Sequence, residues 1–173
     1  AMRALLNQMT HIGQLEGSEE GGVSDIPTPE TMIDKVHRVR GGLLFGLAFV
    51  APKTIEPGQV LEKIKAAEPA VSRLGTAFQI VDDLTDFEID LKRRTHNLLV
   101  SYIYHKGTAE EKASLKGLLQ GNVPAQNMVE GEFAESARAV LEMARVEARL
   151  SDEVVHAIVG LDGVDRIDAL TGQ

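Results

Sequence analysis

The sequence predicts an all-α protein organised as one domain, and three observations carry that prediction. Apolar residues return at spacings of three and four along most of the chain, and no stretch alternates apolar and polar residues with the persistence of a strand. Aromatic residues make up only 4% and Trp is absent, while Ala, Leu, Val and Glu are common, a mix that favours helices over sheets. The length of 173 residues suits a single core over 1–173, and no repeat, low-complexity tract or interior linker divides it.

The elements are read in chain order. Met2, Leu5, Leu6, Met9, Ile12 and Leu15 give helical spacing over 2–16, and the glycine-rich run 17–22 breaks it. Thr28 is placed as an N-cap with Pro29 at the first helical position, opening a helix that runs to Ala51 and stops at Pro52. Gly41, Gly42 and Gly46 lie inside that helix. Each costs about 1 kcal/mol relative to Ala, so their presence points to a close helix–helix approach. After the Pro57-Gly58 turn, Val60, Leu61, Ile64, Ala67, Val71, Leu74, Phe78 and Val81 keep the period from Gln59 to Phe87, with Pro69 expected to kink or divide the helix.

A helix from Arg94 to His105 comes next, closed by Lys106-Gly107. Thr108 with Glu111 three residues on forms a capping-box pattern for 109–120. Pro124 opens an element over 125–149, Ser151 caps a short helix to Val159, and a last short helix covers Val164 to Leu170 beyond an Asp162-Gly163 turn.

Several function classes are excluded. A formal charge of −8 speaks against a nucleic-acid partner, since phosphate backbones need a basic face. The absence of Cys removes disulfides, thiolate metal sites and thiol nucleophiles. His11, His37, His96, His105 and His156 show no metal-ligand spacing and read as surface or core residues. The longest apolar run, Gly41 to Ala51, is far below the ~20 residues of a membrane span, and no signal pattern precedes it. A cytoplasmic protein without a membrane span is the expectation.

The chemistry concentrates between Gly75 and Asp86. On a helix Asp82 and Asp86 stand one turn apart, ~6 Å along the axis, with Asp83 beside both. Three carboxylates so close repel one another unless a cation joins them, and Asp is a poor choice for a helix interior without such a purpose. Grouped carboxylate oxygens are hard ligands that suit Mg²⁺, which shares its remaining positions with water and substrate phosphates. Gln79 stands one turn before the pair, and Phe78, Val81 and Leu84 face the core or an adjoining apolar cavity.

The string Gly75…Phe78-Gln79…Asp82-Asp83…Asp86, GxxFQxxDDxxD, resembles the second aspartate-rich motif of the trans-isoprenyl diphosphate synthases, the polyprenyl synthetase family. Gly13-Gln14-x-x-Gly17 is similar to that family's GQ-containing helix, and Arg40-Gly41-Gly42-Leu43-Leu44-Phe45 to its K-T-x-x-L-F segment. Asp90-Leu91, basic residues and Thr95 are similar to the stretch after the motif, so the likeness covers residues 10–105 in order. It implies a helical bundle like the C-terminal half of the isoprenoid synthase fold and Mg²⁺-dependent prenyl transfer from an allylic diphosphate to isopentenyl diphosphate. It also implies roles. Asp82 would be the main metal ligand, Asp83 and Asp86 its direct or water-mediated companions, and Gln79 a support near the nascent cation. Arg40, Phe78, Lys92, Arg93 and Arg94 would contact the isoprenoid diphosphates.

The chain departs from the family pattern in three places. It holds no counterpart of the first aspartate-rich motif, Arg40-Gly41 stands for Lys-Thr, and only Phe87-Glu88-Ile89 separates Asp86 from Asp90 where a Gly-Lys-Pro-Gly type loop is usual. Activity is therefore expected to need an N-terminal half or a partner, and a homodimer is expected from the apolar 43–50 stretch that half a helical barrel would expose. The alternative is a non-catalytic half-domain or partner subunit of a prenyl synthase.

Overall fold

The computed structural model describes residues 2–17, 22–121 and 127–159, and all the regular structure among them is helical. Helix α1 is Met2–Gly17. Thr28 caps α2, Pro29–Thr31, by accepting a hydrogen bond from the Thr31 amide at 3.3 Å, with Pro29 at the start as expected. A π-helical segment, Met32–His37, carries the chain directly into α3, Arg38–Ile55. Pro52 does not stop α3 as the sequence suggested. It lies in the last turn, where its missing N–H costs one bond. The Thr54 hydroxyl donates to Val50 O at 2.8 Å, and Glu56 N to Pro52 O at 2.9 Å.

Helix α4 is the axis of the molecule, Gly58–Thr85, and is not divided at Pro69. It ends before the predicted Phe87, because Asp86 leaves helical geometry (φ −95°, ψ 6°) and starts α5, Phe87–Arg93. The helix expected from Arg94 begins later, as α6, Leu98–Lys106. Arg94 has left-handed backbone angles (φ 57°, ψ 40°) that end α5, and Asn97 is the true N-cap, accepting from the Leu99 and Val100 amides at 3.0 and 3.3 Å.

The capping box at Thr108 and Glu111 opens α7, Ala109–Leu119, as read from the sequence. Helix α8, Ala134–Val159, begins later than the expected 125 and runs straight through Ser151, which is buried in its interior rather than capping a new helix. The predicted opening at Pro124, the Asp162-Gly163 turn and the helix to Leu170 lie outside the described residues.

Helix α4 packs along α3 on one side and α8 on the other, and α1 lies against α3. The core gathers Met32, Ile80, Phe87, Leu98, Leu99, Ile103, Leu115, Phe133 and Val140, all fully buried. Phe87 and Phe133 meet edge to face at 5.7 Å, which ties the α5 start to the approach of α8. Two polar links fix the outer helices. Glu147 of α8, itself buried, accepts from Arg38 and Arg73, each at 2.9 Å. Glu111 accepts the amide and hydroxyl of Ser136 at 3.2 and 2.8 Å.

The glycines of α3 serve close packing, as predicted. A Cβ on Gly41 would fall 2.3 Å from the carbonyl carbon and oxygen of Gly75. The α3–α4 crossing is thus backbone against backbone, one helical turn before the aspartate segment and one turn after His37.

Candidate functional site

The aspartate segment occupies the last two turns of α4, and its three carboxylates do not share one environment. Phe78, Val81, Asp82 and Thr85 follow an i, i+3, i+4, i+7 pattern, and all four are exposed. Asp86, at the helix end, is exposed beside them. Phe78 is 53% exposed and rests on Phe45 of α3, ring centroids 5.4 Å apart. The stripe therefore begins apolar and ends in two carboxylates.

Asp83, expected beside Asp82 and Asp86 as a companion metal ligand, turns inward and is buried. Its Oδ2 accepts the Leu98 amide at 2.5 Å and lies 3.0 Å from Nε2 of His37. Its backbone carbonyl accepts from Asn97 Nδ2 at 2.6 Å. The reason is the α4–α6 junction. Leu98 is the first residue of α6, so its amide has no intrahelical acceptor, and a buried carboxylate supplies one. Leu84 likewise turns to the core, whereas Phe78 and Val81 do not.

Gln79 donates from Nε2 to Asp82 Oδ2 at 3.3 Å, placing the amide where the sequence put it. The Asp82 carboxyl is held above its usual range, first by partial desolvation and then by the neighbouring charges of Asp86 and Asp83, against a smaller opposing effect of His37. A cation there would relieve that repulsion.

Among the described residues, no three His, Cys, Asp or Glu side chains converge in a geometry able to hold a metal ion. With Asp83 committed to Leu98, the side chains suited to Mg²⁺ are Asp82 and Asp86. Two exposed carboxylates fit that ion's habit of keeping several waters and taking one or two protein ligands together with phosphate oxygens. They do not make a closed protein cage.

The basic residues are placed differently. Arg40 sits half-buried on α3 beside the glycine crossing. Lys92 and Arg93 are exposed in the last turn of α5, where their positive charge suits the negative end of the helix dipole. Arg94 instead borders a cavity of about 270 Å³ with Val23, Asp90, Thr95, Asn97 and Leu118, to which neither Asp82 nor Asp86 contributes. In that wall Asp90 accepts from Thr95 Oγ1 at 2.9 Å and Asn97 Nδ2 at 2.8 Å.

Sequence reasoning missed His37 and Asn97. Asn97 was legible as a cap, since Asn before an apolar run is a helix start. His37 lies one turn before Gly41, on the side that meets α4, but nothing in the sequence pairs it with Asp83. Comparison with protein-family models, with curated proteins and with solved structures returns no match. Among the described residues no helix is long and apolar enough to cross a membrane.

Proposed function

We propose that this chain is the second-motif half of a polyprenyl synthetase-like prenyltransferase, which works in the cytoplasm on isoprenoid diphosphates with Mg²⁺. One observation carries the reading: the exposed stripe of α4 runs from Phe78 and Val81 to Asp82 and Asp86. An apolar surface ending in hard oxygen ligands matches an amphiphile with a hydrocarbon tail and a diphosphate head. The GxxFQxxDDxxD string on the same helix supports it.

In this reading Asp82 and Asp86 would hold Mg²⁺, and the ion would supply positive charge against the diphosphate. Phe78 and Val81 line the track of the allylic chain, and Gln79 orients Asp82 and faces the nascent cation. Arg40 adds positive charge from α3, and the exposed Lys92 and Arg93, with Arg94, are the candidates for the second diphosphate. The other metal-binding half comes from an N-terminal half or from a partner. A second copy is the simplest candidate, because Leu44 is 47% exposed on α3 and Phe78 extends the apolar patch. Sedimentation at micromolar concentration should then show a dimer, and a monodisperse monomer would refute that part.

The deciding experiment titrates pyrophosphate calorimetrically into the protein with Mg²⁺ and again with EDTA. Heat that requires Mg²⁺ and disappears in Asp82→Ala is expected. Binding without any turnover of allylic and isopentenyl diphosphates would favour a non-catalytic partner subunit. No Mg²⁺-dependent binding would end the proposal for this chain.

A further inference from the structure

His37 is the last residue of the π-helical segment and is 1% exposed. A π turn admits an extra residue and rotates the helix beyond it, and such turns are costly enough to be rare. Here the turn delivers the imidazole against the inward face of α4. Its Nε2 reaches to 3.0 Å from Asp83 Oδ2, yet neither ring nitrogen makes a directed hydrogen bond among the described residues. A buried polar ring left so incompletely satisfied is uncommon and calls for a reason. The reason is visible in its neighbour. Asp83 Oδ2 is the same atom that receives the Leu98 amide, so the ring supports the carboxylate joining α4 to α6.

We infer that His37 is the positioning residue of the aspartate motif. Through the 3.0 Å contact of its Nε2 with Asp83 Oδ2, it packs behind that carboxylate, fixes the rotation of the last turns of α4, and so keeps Asp82 and Asp86 on the outer side. Gln79 and the phenylalanines shape the stripe, but they do not set which carboxylate faces out. His37 does so from behind, without touching ligand. The inference rests on Asp82 and Asp86 being the Mg²⁺ ligands, although its first readout requires no ligand.

The test compares two polar substitutions in the full chain. In Gln the amide nitrogen takes the place of imidazole Nε2, and in Asn that of Nδ1. Amide hydrogen exchange then reads the Leu98 N–H directly. His37→Gln should keep Leu98 protection and Mg²⁺-dependent pyrophosphate affinity near wild type. His37→Asn should lose about tenfold or more in both. A role in filling space alone would move the two variants together, so equal retention or equal loss overturns the inference. Rescue by Asn rather than Gln overturns it too, as does lost Leu98 protection with unchanged affinity. Wild-type protein that binds no pyrophosphate with Mg²⁺ would instead sink the functional reading, and Leu98 exchange would still decide whether Nε2 holds Asp83.

Discussion

Gly41 and Gly75 face each other so closely that a Cβ on either would stand 2.3 Å from the backbone of the other. Neither position can accept a side chain unless α3 and α4 move apart. Gly41→Ala is therefore expected to destabilise the protein by about 2–3 kcal/mol, at the high end for overpacking, lowering Tm by roughly 4–12 °C. Gly13→Ala in α1 has nothing within 4 Å of the new methyl and should stabilise by up to about 1 kcal/mol. Thermal unfolding of both variants checks the contrast, and similar shifts would show that the crossing is looser than the structure has it.

Asn97 does two jobs with one side chain. Its oxygen caps α6, and its amide donates to the Asp83 carbonyl and to Asp90. Asn97→Ala should cost about 2 kcal/mol, the upper end for a lost cap, because a buried carbonyl is orphaned with it. Asn97→Asp keeps the cap oxygen but sets a carboxylate against Asp90. Denaturant unfolding at neutral pH should find it no more stable than the Ala variant.

The two adjacent aspartates should separate stability from binding. Asp82→Asn removes a charge that its surroundings disfavour, so the fold should be unharmed while Mg²⁺-dependent pyrophosphate binding is lost. Asp83→Asn weakens the support of the Leu98 amide and should cost about 1–3 kcal/mol of stability. Calorimetric binding and urea unfolding of both variants would expose any reversal of these roles.

Asp90 supplies a pH dependence. Burial pushes its carboxyl above the usual range, with the charges of Asp83 and Asp86 adding to the effect and hydrogen bonds from Asn97 and Thr95 opposing it. The folded state thus holds this proton to higher pH than the unfolded state does. The ionised group then costs stability above its folded pKa, and the cost fades as pH falls toward the unfolded value of about 3.9. Relative to Asp90→Asn, wild-type protein should gain stability as the pH is lowered through that window. A constant difference in unfolding free energy between the two would show that Asp90 titrates as it does in the unfolded chain.

Much of the helical framework was legible locally. Thr28 with Pro29 and the Thr108–Glu111 box are signals within four residues, and both caps form. The readings that failed concern places where a neighbour outweighs local preference. Pro52 is tolerated in a last turn and Pro69 within α4. Ser151 is buried mid-helix, and Arg94 turns left-handed to end α5 although it reads as the start of a helix.

The candidate site divides the same way. The sequence by itself determined the helical class, the run of carboxylates at Asp82, Asp83 and Asp86, and the glycines that admit close packing. All of these come from residue type and a spacing of 3.6 per turn. Only the tertiary structure decided that Asp83 belongs to the core, that His37 stands behind it, and that Asp82 and Asp86 face outward. Helical spacing gives the angle between side chains on one helix. Which angle points to solvent is set by what packs against that helix, here the α3 crossing at Gly41 and the Leu98 amide of α6.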